Sequence, residues 1–149
     1  MPIGAGSRAP EIRGVSFDGG PVLVAFYKVT CPVCQMAAPV VDAIAAAVPG
    51  RVVGIGQDPS AKLAAFAAGH GMSSVPAVED PPPYVASDAY GVASVPTLFL
   101  VNDGIVDDIV EAWDRDGFNR VAARLAELSG VEPVVVSEVS DGRPPFRPG

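Results

Sequence analysis

Cys31 and Cys34 stand in the run Val29-Thr30-Cys31-Pro32-Val33-Cys34-Gln35-Met36 and are the only 2 cysteines among 149 residues. Two thiols at this spacing can supply half of a zinc site, close a small structural disulfide, or cycle between dithiol and disulfide. A closed zinc site takes about four ligands, usually Cys and His, and the chain adds a single histidine, His70. Domains stapled by disulfides carry several pairs and an export signal, whereas Met1-Pro2-Ile3-Gly4-Ala5-Gly6-Ser7-Arg8 has no apolar stretch of signal-peptide length. These facts favour a pair that changes redox state over a structural one. The thiolate is the reactive form, and a reference pKa of about 8.5 leaves only a few per cent of a free thiol ionised near neutrality. A helix starting at the pair would favour negative charge on Cys31, because unpaired N–H groups and the helix dipole converge there. Lys28 stands upstream as a candidate counter-charge, although a solvated surface lysine is the commoner case. Pro32 removes one N–H donor from the same terminus. Cys34, one turn deeper, is the expected buried partner. Cys31 is therefore the expected nucleophile and Cys34 the resolving thiol.

The elements that must hold this pair are legible around it. Pro21-Val22-Leu23-Val24-Ala25-Phe26-Tyr27 is a continuous apolar run after the turn signal Asp18-Gly19-Gly20, as suits a central strand buried on both faces. Gln35 to Val48 is rich in alanine, carries Met36, Val40, Val41, Ile44 and Val48 at helical spacing, and stops at Pro49-Gly50. Pro39 falls inside it and is expected to kink it. Arg51 to Gly56 reads as a second strand, and Asp58-Pro59-Ser60 as the cap and first turn of a helix through Phe66, ending near Gly69. Val75 to Val78 suits a short edge strand and Tyr84 to Tyr90 a short helix. Thr97 to Val101 and Ile105 to Val110 flank Asn102-Asp103-Gly104, a strong hairpin signal. A last helix starts near Asp114 to Asp116 and gathers Phe118, Val121, Ala122, Leu125 and Leu128 on one face before Gly130. His70 is expected at a helix terminus, and Trp113, Tyr84 and Tyr90 in or beside the core.

Length and charge bound the function further. The chain fits one domain, residues 1–149, with a core over about 9–130, an insertion over about 58–90 and a C-terminal extension over 131–149. Its terminal run Pro144-Pro145-Phe146-Arg147-Pro148-Gly149 is expected to lie on the surface or to be mobile. A formal net charge of -7 with 10 scattered basic residues argues against a nucleic-acid partner. The longest apolar runs are too short and too interrupted for a membrane span. The resulting expectation is a monomeric, cytoplasmic protein with no cofactor and no metal.

Together these features resemble the thioredoxin superfamily. The resemblance rests on strand, Cys31-x-x-Cys34 and helix in that order, on Pro39 where the family has its kink proline, and on Val95-Pro96-Thr97 before an apolar strand and an Asn-Asp-Gly turn. The longer middle segment, the opening Ala9-Pro10-Glu11-Ile12 and the Asp-Gly turn look like the branch shared by TlpA-type thiol-disulfide oxidoreductases and peroxiredoxins. The resemblance implies a thioredoxin-like three-layer α/β/α fold with a central mixed β-sheet and an inserted helix/strand segment between the two halves. It implies a cis Pro96 lying against the cysteines, and a substrate peptide pairing with the neighbouring backbone, so that Val95, Pro96, Thr30 and Pro32 are the candidate substrate-binding residues beside catalytic Cys31 and Cys34. The implied activity is exchange of disulfides with protein substrates, served by a reducing or oxidising partner. Two other readings stay open: a peroxiredoxin-like thiol peroxidase with Cys31 as peroxidatic thiol, and a non-catalytic binding module. A peroxidatic motif resembles Pro-x-x-x-Thr-x-x-Cys; counting back from Cys31 gives Lys28 and Val24, and from Cys34 gives Cys31 and Tyr27, so neither register fits. The chain also departs from ordinary thioredoxins. The buried acid and its lysine companion fall at Ala25 and Gly54, the acid of TlpA-type proteins at Ala37, and the usual tryptophan at Thr30. Asp58 and Asp88 are the candidate replacements for the missing acid.

Overall fold

The computed structural model describes residues 1–149. The first strand, β1 (Val22–Tyr27), is buried at every position, which the unbroken apolar run requires. The chain then forms α1 (Pro32–Ala47), β2 (Val52–Gly56), α2 (Ser60–His70), β3 (Ala77–Glu79), α3 (Val85–Ala89), β4 (Thr97–Asn102), β5 (Ile105–Glu111), β6 (Trp113–Asp114), α4 (Arg115–Leu128) and β7 (Phe146–Arg147). The main sheet has the order β3-β2-β1-β4-β5, while β6 and β7 make a separate two-stranded ribbon. β1 pairs parallel with β2 and antiparallel with β4, so the sheet is mixed as expected.

Side chains alternate across β1. Leu23, Ala25 and Tyr27 join the larger core with α1, α2 and α4, whereas Val22, Val24 and Phe26 join a smaller core with Ile12, Tyr90 of the α3 end and Phe99. The three layers are therefore uneven: three helices cover one face, and short α3 with the N-terminal segment covers the other. Trp113 and Tyr90 are fully buried as expected, whereas Tyr84, expected in or beside the core, is 39% exposed. His70 ends α2 and stacks on Phe66 at 4.9 Å between ring centroids.

One capping expectation needs correction. Asp58 does not cap α2: Pro59 occupies the N-cap without a side-chain bond, and Glu79 instead accepts the Ser60 N–H at 3.0 Å. The Asp58 carboxylate reaches back to the loop after β1. The terminal run lies on the surface, as expected, and is held there: β7 pairs with β6, and upstream of it buried Arg115 donates through Nε to Ser137 Oγ at 3.2 Å. Both contacts join residues far apart in sequence, which local pattern does not encode.

Candidate functional site

α1 begins at the cysteines for a readable reason. Cys31 is its N-cap in extended backbone, Pro32 is the first helical residue, and the Cys34 N–H donates to Cys31 Sγ at 3.2 Å. A sulfur thus fills the place usually taken by a Ser or Asp oxygen, and proline suits a first-turn position whose N–H would lack a helical partner. Both cysteines are thiols, Cys31 half-buried and Cys34 buried. Burial pushes the Cys34 thiol well above its ordinary range, and its hydrogen bond with Cys31 adds to the rise.

The loop between β1 and α1 is pinned at Val29. The Val29 N–H donates to Asp58 Oδ2 at 3.0 Å, and Gln35 Nε2 donates to the Val29 carbonyl at 3.0 Å. Gln35 was not among the sequence candidates, although its place one turn into the helix makes a bond back to the entering loop accessible. Lys28 is exposed and forms no salt bridge. Asp88 is exposed on α3.

Across from the cysteines, the Val95–Pro96 peptide is cis. The Cys31 thiol donates to the Val95 carbonyl at 3.5 Å, and the Pro96 carbonyl accepts the Ala112 N–H at 2.8 Å. Val95 is half-buried and Pro96 buried, while Thr30 and Pro32 flank Cys31 in exposed positions. The structure therefore brings all six sequence candidates to one end of the sheet. Lys28, Gln57, Val92 and Val95 line a shallow groove that runs up to the same point.

Beneath Cys34 the surroundings are apolar. Ala25 and Ala37, at the two positions where family acids would stand, line one small void together with Cys34, Tyr27, Pro96 and Leu98. The ring of Tyr27 crosses Gly54 so closely that a β-carbon there would meet Cε1 at 2.9 Å. The tyrosine ring thus fills the room above the position of the family's lysine. Its hydroxyl is buried with no partner in the protein, and burial, followed by the charges of Asp58 and Cys34, pushes it up to about 12. Tyr27, the last residue of an apolar strand, carries no motif in the sequence, and the structure brings it to the dithiol. No group of three or more His, Cys, Asp or Glu is arranged to hold a metal ion.

No family model and no curated protein matches the chain. Solved structures do. The MTB protein dsbF, in mixed oxidised and reduced forms, is 27% identical over 72% of this chain and 81% of its own, with a TM-score of 0.60. A secreted Mycobacterium tuberculosis disulfide oxidoreductase homologous to E. coli DsbE is 23% identical over 73% of this chain and 84% of its own, with a TM-score of 0.60. The thioredoxin domain of a Bacteroides vulgatus thiol-disulfide oxidoreductase superposes with a TM-score of 0.67 at 21% identity, over 83% of this chain and 99% of its own. These neighbours are thioredoxin-like thiol-disulfide oxidoreductases, and the fold shared with them is thioredoxin-like. No helix is long and apolar enough to cross a membrane.

Proposed function

We propose that this thioredoxin-fold chain is a thiol-disulfide oxidoreductase acting on protein disulfides or dithiols through Cys31 and Cys34. The observation that carries the reading is the pair itself: a half-exposed N-cap sulfur that accepts a helix N–H, backed one turn deeper by a buried thiol. In the reductive direction the Cys31 thiolate attacks one sulfur of the substrate disulfide. A mixed disulfide forms, and the other substrate sulfur leaves as a thiolate that takes up a proton. Cys34 then loses its proton and attacks Cys31 Sγ. The second substrate thiolate leaves, the substrate has gained two electrons, and Cys31 and Cys34 remain as a disulfide. A dithiol of the cell must reduce that disulfide for a new cycle, and the oxidative direction runs the same steps backward.

The helix N-terminus serves the first step, because N–H groups aimed at Cys31 favour its anionic form. The apolar floor hinders the second. Ala25 and Ala37 offer no base, and burial disfavours the Cys34 thiolate, so resolution is the slow step of this reading. Val95 and Pro96 are the residues against which a substrate backbone would lie. The reading is tested by insulin-disulfide reduction with dithiothreitol as reductant. The wild-type chain is expected to accelerate precipitation and Cys31→Ser to abolish the acceleration; equal rates would overturn it. The direction follows from the potential of the pair: a value near about -270 mV marks a reductant and one near about -120 mV an oxidant.

A further inference from the structure

Residues beyond β7 return to the cysteines. β7 runs antiparallel to β6, with Trp113 opposite Arg147 and Asp114 opposite Phe146. β6 follows Ala112, whose N–H holds the Pro96 carbonyl. The ribbon that receives the tail is thus tied to the loop bearing the cis proline. Beyond Arg147, Gly149 lies on Val95 so closely that a β-carbon there would overlap the Val95 carbonyl oxygen. That oxygen is the acceptor of the Cys31 thiol. The Val95 N–H, the other backbone group on this edge, makes no hydrogen bond within the chain.

The approach to Val95 is firmly built, while Pro148 and Gly149 themselves are lightly held. Trp113 Nε1 donates to the Pro144 carbonyl at 2.7 Å, and the Arg115 N–H donates to the Pro145 carbonyl at 3.0 Å. Arg115 Nη2 donates to the Arg143 carbonyl at 2.5 Å, and Arg143 Nε donates to the Met36 carbonyl of α1 at 3.1 Å. Past β7 these anchors cease. Pro148 and Gly149 are exposed and form no hydrogen bond of their own. They cover the Val95 edge by packing on one side, without satisfying its N–H. An incoming polypeptide that pairs with that N–H has something to gain which the resident segment lacks.

Resting on the exchange reading above, we propose that Pro148 and Gly149 are a built-in occupant of the Val95 edge that sets the substrate class. Compact disulfides reach Cys31 with the segment in place, whereas extended polypeptide disulfides react after displacing it. Gly149 serves this role because the absence of a side chain lets its backbone lie on Val95. A segment seated about nine-tenths of the time lowers the apparent affinity for a competing peptide about tenfold.

The test compares the full chain with a form lacking residues 148–149 and with Gly149→Ala. Both changes leave β7 and the Trp113 and Arg115 anchors in place. Insulin reduction at substrate concentrations below saturation is expected to rise about tenfold in the deletion, the gain set by the occupied fraction, and to rise in Gly149→Ala. Reduction of hydroxyethyl disulfide is expected to stay within about twofold, since a compact disulfide gains little from an emptied edge. Equal insulin rates in all three proteins, or equal acceleration on both substrates, would overturn the gate. If none of the proteins reduces either disulfide, the exchange reading has failed. The occupant is then judged by the backbone amide signals of Val95 and Thr97 in NMR spectra: shifts on deletion support it, and unchanged signals overturn it.

Discussion

Cys31 and Cys34 are the same chemical group in opposite settings one helical turn apart. Cys31 sits where the chain enters the helix, takes an N–H on its sulfur and faces Val95. Cys34 is only 3% exposed and borders the void lined by Ala25 and Ala37. Burial is the largest cause of its raised thiol, so its ionised fraction stays small throughout the neutral range. The step that depends on it is therefore expected to follow hydroxide. Loading Cys31 with a nitrothiobenzoate group and timing release of the coloured thiol isolates that step, because release requires Cys34 to attack. The rate is expected to climb about tenfold per pH unit between about pH 6 and 8, as the ionised fraction does far below a pKa. A flat profile would mean that another group takes the proton. Tyr27 is the nearby polar side chain, but its own hydroxyl is pushed up to about 12 and makes a poor base there.

Elements reach this site through side chains that cross between them. Val29 is held from both sides, by Asp58 beyond β2 and by Gln35 in α1. On the other face, Asp80 is buried and accepts the N–H groups of Ala86 and Ser87 at 3.0 and 2.9 Å and the Ser87 hydroxyl at 2.6 Å. It caps the short α3 from across the triple proline. Asp80→Ala is expected to cost about 2–4 kcal/mol in chemical denaturation, since three buried donors lose a charged acceptor; a loss below about 0.5 kcal/mol would show that solvent replaces the carboxylate. β1, α1 and the hairpin around Asn102-Asp103-Gly104 were readable because apolar period and turn chemistry are local: Asp103 and Gly104 take the positive φ values of 52° and 73° that such a turn demands. Cys31, Cys34 and Pro96 were readable because their order along the chain matches a family pattern. Asp58 serves Val29 and not α2, and the roles of Asp80 and Gln35 carry no local signal, because a carboxylate or amide chooses among caps by tertiary proximity. The docked tail was hidden for the same reason, since its anchors Trp113 and Arg115 lie about thirty positions upstream.

At the scale of the whole molecule, the groups raised by burial sit on both faces of the sheet, so their titration reads out on global stability. Cys34 and Tyr27 belong to the larger core and Tyr90 to the smaller. All three are raised in the folded chain by burial first, Cys34 from 9.0 and both tyrosines from 10.0. Each folded value lies above its unfolded one. Over the intervening pH range the folded chain holds protons that the unfolded chain has released, so stability falls as pH rises. Well below pH 9 both states are protonated at these groups and the effect vanishes. Each extra proton held costs about 1.4 kcal/mol per pH unit. As far as these groups go, the thermal midpoint of the reduced chain is therefore expected to be level between pH 7 and about 7.5, where thiols and phenols are mostly protonated in both states, and to decline ever more steeply from about pH 8.5 to 11 as thiol and then phenols titrate in the unfolded chain. Cys34→Ser removes the first of these groups, so its decline should begin about one pH unit later, where the tyrosines take over. Differential scanning calorimetry of the reduced chain and of Cys34→Ser decides the matter. Parallel curves for the two proteins would mean that the Cys34 thiol titrates alike in the folded and unfolded chain, which the apolar floor formed by Ala25, Ala37 and Leu98 argues against.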